Sequence, residues 1–305
     1  MGNLKQNQQR ITYLLEKLSE GQGIRPTILD GVKLLRADTP MPRVPVLYEP
    51  SIVIIGRGRK RGYLGESCYI YDPHNYLVLS VPMPFECETE VGPDGSLLGV
   101  SVKVDLAVVG ELLMKMKRRP STNPDDGPLG IRATPMDEKM TDTTVRLLEC
   151  LALPEEAQIL GPQIMRELTY HVLCGAHGGA LQALITMNSN VGQIQRALHR
   201  MQTDLDKQLD ISTLAEEAGM SQSSFHHVFK SVTATSPLQY LKTLRLHKAK
   251  LLMLHEGLSA GEAAEKVGYE SSSQFSREFK RFFGASPMTE VNAVRSRLEG
   301  GASRV

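Results

Sequence analysis

Within nine residues, Gln222, Ser223, Ser224, His226, His227 and Lys230 offer amide, hydroxyl, imidazole and ammonium groups. Fifty positions later, Ser272, Ser273, Gln274, Ser276, Arg277 and Lys280 offer a comparable set. Side chains of these kinds hydrogen-bond base edges and phosphates when one face of a helix presents them together. An arginine can pair bidentately with guanine, so Arg277 is the foremost candidate for a base contact. Lys230 and Lys280 sit nearer the helix C-termini and suit phosphate, which adds affinity without sequence choice. The bland alternative is a solvated face on a helical bundle, so the surrounding elements must decide.

Catalytic and metal chemistry find less support. His74 is the only histidine of the β-rich part, and no HxH pair accompanies it. His171, Cys174 and His177 are spaced three apart, but Gly175 and Gly178-Gly179 indicate a helix end and no fourth ligand follows. No metal, no other cofactor and no catalytic function are expected. GRGRKRG, from Gly56 to Gly62, lacks the spacing of a phosphate-binding loop and reads as a solvated hairpin. The four cysteines, Cys68, Cys87, Cys150 and Cys174, form no CxxC pair and read as reduced thiols of a cytoplasmic protein. Cys68 and Cys87 read as small buried hydrophobes; the sharper alternative is a thiol that senses an electrophile or oxidant.

The elements that position the two polar sets are duplicated. LAEEAGMSQSSFHHVFKSVTATSP, residues 214–237, and AAEKVGYESSSQFSREFKRFFGASP, residues 263–287, align with one extra residue in the second. Ala215 matches Ala264, Gly219 matches Gly268, Phe225 and Phe229 match Phe275 and Phe279, and Ser236-Pro237 matches Ser286-Pro287. In each copy a short helix ends at a glycine, and Ser221 or Ser271 can cap the next helix. Helix, tight turn and capped helix make a helix-turn-helix. Phe225, Val228, Phe229 and Val232, and Phe275, Phe279, Phe282 and Phe283, form the stripes to be buried, which leaves the polar sets on the opposite faces.

Charge agrees with this division. The whole chain of 305 residues carries a net +1, but Gln193–Val305 holds 15 Lys+Arg against 12 Asp+Glu. Between Ser221 and Lys250 stand Lys230, Lys242, Arg245, Lys248 and Lys250 with no carboxylate, which suggests an anionic partner. Upstream, Leu4, Ile11, Leu14, Leu15 and Leu18 predict an amphipathic helix ended by Gly21 and Gly23. From about Gly31 to Val109, SIVIIG, ESCYIYD, NYLVLSVP and SLLGVSVKVD read as short strands of a sandwich or small barrel. Residues 118–135 read as a Pro/Gly-rich loop. TDTTVRLLECLAL, PQIMRELTYHVLC and VGQIQRALHRMQTDLDKQL read as helices, with a domain boundary near Met187–Val191. The N-terminus has no apolar stretch of a secretory signal, and no run is long enough to cross a bilayer.

With these motifs in place, the C-terminal third resembles the DNA-binding domain of the AraC/XylS family of transcription regulators, over about Leu209 to Pro287. The resemblance implies two helix-turn-helix units, about 209–232 and 258–283, joined by the helix PLQYLKTLRLHKAKLLML with Arg245 at its centre. It implies that Gln222, Ser223, Ser224, His226, His227 and Lys230 meet one major groove of double-stranded DNA. Ser272, Ser273, Gln274, Ser276, Arg277 and Lys280 would meet the next, and Arg245 is included among the DNA-contacting residues. It also implies contact with RNA polymerase. Tyr48-Glu49-Pro50-Ser51, the GRGRKRGYLGE region and YIYDPHNYLVLSVPMPFECE are similar to a subgroup with a cupin-like β-barrel sensor.

The expected fold is therefore α+β: residues 1–190 form a cupin-like barrel with flanking helices, and residues 191–305 an all-α DNA-binding domain. A small-molecule effector is implied inside the barrel, with Tyr69, Tyr71, Leu77, Leu79 and Cys68 as candidate contacts, and homodimerisation through the following helices is suggested. The expected function is sequence-specific DNA binding under effector control. The alternative is a constitutive or architectural DNA-binding protein whose N-terminal domain only dimerises.

Overall fold

The computed structural model describes residues 2–116, 130–175, 178–185 and 190–300. His177, residues 118–129 of the expected loop and most of the expected boundary at Met187–Val191 lie outside the described residues. The chain divides into two units. The first comprises Met1–Arg43, Tyr48–Met83 and Cys87–Met187; the second comprises Val44–Leu47, Pro84–Glu86 and Asn188–Val305.

The chain opens with α1 (Gly2–Leu18), whose Ile11, Leu14 and Leu15 are buried at the expected helical spacing. Nine strands follow: β1 (Gly23–Pro26), β2 (Val32–Ala37), β3 (Met41–Tyr48), β4 (Ser51–Arg57), β5 (Arg59–Leu64), β6 (Ser67–Tyr71), β7 (Asn75–Leu79), β8 (Met83–Glu90) and β9 (Leu97–Lys103). A tenth, β10 (Ile131–Pro135), comes after α2 (Leu106–Lys115). They form a six-stranded sheet in the order β1-β2-β9-β4-β7-β10 and a four-stranded sheet in the order β3-β8-β5-β6. Helix α1 lies against β4 and β9. Ile52 to Ile55 and Tyr76 to Leu79 are consequently buried without alternation, as in a sheet covered on both faces.

Three expectations need correcting here. Residues 131–135 are strand rather than loop, because β10 pairs antiparallel with β7, from Ile131 opposite Leu79 to Pro135 opposite Asn75. The β-rich segment stops at Lys103 rather than running to Val109: Asp105 accepts a hydrogen bond from the Ala107 N–H and caps α2. GRGRKRG is not a solvated hairpin. Gly58, at φ +81, turns the chain out of the six-stranded sheet and into the four-stranded one.

The remaining helices of the first unit are α3 (Glu138–Leu151), α4 (Pro154–Ile159), α5 (Gly161–Cys174) and α6 (Gly178–Ile185). Helices α3 and α5 match the sequence expectation, including Pro162 in the first turn of α5. The short α4 and α6 are additions.

The second unit is helical from Asn190 to Gly300. It contains α7 (Asn190–Thr203), α8 (Ile211–Glu217), α9 (Gln222–Thr233), α10 (Pro237–His255), α11 (Ala260–Lys266), α12 (Ser272–Phe283) and α13 (Pro287–Gly300). Helices α8 and α11 have seven residues each, and α9 and α12 twelve each, so the repeat in sequence is a repeat in structure. Gly219 at φ +67 and Gly268 at φ +80 make the turns. Phe225 and Phe229 stack at 5.6 Å and Phe275 and Phe279 at 5.5 Å, all fully buried. The Ser-Pro pairs start α10 and α13, where Ser236 and Ser286 accept from the N–H groups of Gln239 and Thr289.

Candidate nucleic-acid interface

Each reaching helix begins on a serine cap. Ser221 Oγ accepts from the Ser224 N–H at 3.3 Å, and Ser271 Oγ accepts from the Gln274 N–H at 3.2 Å. The caps fix the first turn of α9 and α12, where an HTH helix meets base edges. With the phenylalanines turned inward, Gln222, Ser223, Ser224, His226, His227 and Lys230 are exposed on α9. On α12, Ser272, Ser273, Gln274, Arg277 and Lys280 are exposed and Ser276 is partly buried. Arg277 has no partner among the described residues, so its guanidinium fork is available.

Arg245 is the exception. Its Nε donates to the Leu205 carbonyl at 2.9 Å and a terminal nitrogen donates to the Lys207 carbonyl at 2.7 Å. Turned back onto the chain between α7 and α8, it holds the protein together rather than facing outward with the others. The neighbouring cations behave similarly. Lys242 pairs with Glu278 at 3.0 Å, and Lys250 pairs with Glu290. Of the five cations between Ser221 and Lys250, only Lys230 and Lys248 are exposed without a partner among the described residues. The excess charge of that stretch is therefore mostly answered from α12, α13 and backbone carbonyls.

Sequence inspection missed the group that fastens α12. Glu278 accepts from Lys242 Nζ at 3.0 Å, from the Tyr269 hydroxyl at 2.9 Å and from Gln274 Nε2 at 3.2 Å. Burial works against this carboxylate, and the three hydrogen bonds more than offset it, holding its pKa below the ordinary value. Burial and the same carboxylate push the Tyr269 phenol up. The position was detectable: copy one carries apolar Val228 where copy two carries Glu278.

The candidate effector contacts are divided between the two sheets. Leu77 and Leu79 lie in β7 of the six-stranded sheet, opposite Val53 and Ser51 on one side and Ala133 and Ile131 on the other. Tyr69 and Tyr71 lie in β6 of the four-stranded sheet. Cys68 alternates to the opposite face of β6 and is exposed, so it neither joins the tyrosines nor fits the small buried hydrophobe expected of it. Cys87 is buried as expected.

A two-sheet unit followed by a helical unit with a duplicated, capped helix-turn-helix defines a two-domain regulator architecture. Residues 28–180 match the model of the AraC-type transcriptional regulator N-terminus, and residues 214–292 match that of a helix-turn-helix domain. The chain belongs to the AraC-type transcriptional regulators.

Among curated relatives, the HTH-type transcriptional regulator AlkR of Acinetobacter baylyi is 36% identical over 95 residues, 31% of either chain. The RCS-specific transcriptional activator RclR of Escherichia coli is 42% identical over 85 residues, 28% of this chain and 30% of its own. ExsA of Pseudomonas aeruginosa is 26% identical over 182 residues, 58% of this chain and 62% of its own. The matched segments thus span less than two thirds of the length of these relatives. Unsaturated fatty acid-bound ToxT of Vibrio cholerae superposes with a TM-score of 0.61 at 13% identity, over 93% of this chain and 99% of its own. That likeness is one of fold. Among the described residues, no helix is long and apolar enough to cross a membrane.

Proposed function

We propose that the protein is a sequence-specific DNA-binding transcription regulator, with α9 and α12 reading two consecutive major grooves. DNA binding is assigned to residues 191–305, and effector control and self-association to residues 1–190. The observation that carries this is the pair of serine-capped helices of equal length, each with an aromatic stripe buried and a polar face exposed. A solvated helical bundle has no need of two such faces. Exposed Leu153, Ile159 and Leu160, on and beside α4, support a homodimer, since apolar side chains grouped on a surface favour burial against a partner. Family membership supports contact with RNA polymerase.

Arg277→Ala tests the base-reading role. Affinity for the cognate site falls by about 1–3 kcal/mol and preference loosens at one base pair. Equal weakening on every sequence would instead make Arg277 a phosphate contact. Adding metabolite pools to the same promoter-binding assay separates effector control from constitutive binding, because only the former gives a response.

A further inference from the structure

Strand β5 carries three consecutive cations, Arg59, Lys60 and Arg61. Arg59 pairs with Asp72 at 3.2 Å, and Arg61 pairs with Glu88 at 3.7 Å and with Glu90. Lys60 points to the other face of the strand, and among the described residues no carboxylate lies within ion-pair distance of it. Its neighbours there are uncharged. Tyr71 is its register partner on β6, Cys87 stands on β8, and Tyr48 stands on β3.

The strand order β3-β8-β5-β6 therefore sets Tyr48, Cys87, Lys60 and Tyr71 in a row, one from each strand of the four-stranded sheet. The row is continuous. The Tyr71 hydroxyl is 3.4 Å from the Tyr48 hydroxyl and 3.2 Å from Cys87 Sγ, and Lys60 Nζ is 5.9 Å from the centroid of the Tyr48 ring. Tyr71 and Cys87 are buried, and Lys60 and Tyr48 are half-buried. Burial works against the ammonium, but Tyr48 and Cys87 more than offset it and hold the amine above its ordinary value. Burial likewise pushes the two phenols up, so near neutral pH the row presents one cation and two phenolic O–H groups.

A partly buried ammonium with no counter-charge is costly, and apolar replacements at such positions are often neutral or stabilising. A row rich in donors and lacking any carboxylate is complementary to a group that brings negative charge and several lone pairs. We propose that this row is the effector-recognition site and that it takes the carboxylate of a small organic acid. In that arrangement Lys60 supplies the charge, and the hydroxyls of Tyr48 and Tyr71 donate to the oxygens. This rests on the regulator reading above and specifies the chemistry of its effector.

The test uses the full chain, with benzoate and hexanoate as probes and benzamide and hexanamide as their neutral counterparts. The acids raise the thermal midpoint of the wild type and the amides do not. Lys60→Met weakens the response to acid by roughly tenfold or more, as loss of a charge-assisted contact does, while Tyr71→Phe weakens it less. Lys60→Gln serves as the second variant should the methionine fold poorly. The proposal is overturned if neither acid shifts the wild type, if amides act as well as acids, or if the Lys60 variants respond like wild type. Acid binding that depends on Lys60 without any change in operator binding supports the site and counts instead against effector control of DNA binding.

Discussion

Glu278 is the residue on which the two halves of the helical unit differ most. In the first helix-turn-helix the same position is Val228, an apolar side chain that is buried. In the second, one carboxylate ties together Lys242 of α10, Tyr269 of the turn and Gln274 of the reaching face. Gln274 therefore presents its amide in a fixed orientation, whereas on α9 Ser223 meets only the capping Ser221, Oγ to Oγ at 3.3 Å. Glu278→Gln removes the charge that Lys242 and Tyr269 answer, and is expected to cost about 1–2 kcal/mol at neutral pH. Because the folded state lowers the Glu278 pKa, this contribution is complete above the ordinary carboxylate pKa and is lost as pH falls through the lowered value. Unfolding curves of wild type and variant should thus diverge at neutral pH and converge in acid. Equal separation at every pH would show that the charge is not what Glu278 contributes.

At the scale of elements, the turns of the two copies look alike in sequence but are placed differently. Both Gly219 and Gly268 adopt the left-handed conformation. A Cβ on Gly219 would meet nothing nearer than Gln193 Nε2 at 3.8 Å, whereas one on Gly268 would lie 2.9 Å from the carbonyl oxygens of Leu205 and Asp206 and from Arg245. Gly219→Ala should therefore cost only the left-handed backbone penalty, about 1–2 kcal/mol. Gly268→Ala should cost more, because backbone carbonyls cannot move aside cheaply; similar melting temperatures for the two variants would refute this.

The same comparison shows what was legible beforehand. The caps at Ser221 and Ser271, the turn glycines and the phenylalanine stripes are local signals, written within a few residues of one another, and they were readable. The partners of Arg245, Lys242 and Lys250 lie 36 to 40 residues away, so a run of cations looked unanswered until the chain was folded. Strand β10 was hidden for a related reason: its pairing with β7 is remote, and Pro135 and Gly130 beside it signalled a loop. In the β-rich unit the strands were readable, but their sheet was not. Which faces of Leu77 and Tyr71 point inward was therefore not legible, and Lys60 was lost inside a basic run.

For the whole molecule, family membership and the duplicated helix-turn-helix together support the proposal of a regulator that grips DNA at two points. The exposed groups of α9 are mostly neutral, and α12 adds Arg277 and Lys280, so sequence preference should be sharper in the half-site met by α12. The most direct test is a footprint of the full chain on the DNA neighbouring its own reading frame, repeated with Arg277→Ala. Two protected tracts are expected, centred one helical turn apart, about 10–10.5 base pairs, with the substitution relaxing base preference in one tract only. A single tract, or protection that follows no sequence, would contradict the assignment of α9 and α12 as a pair of readers.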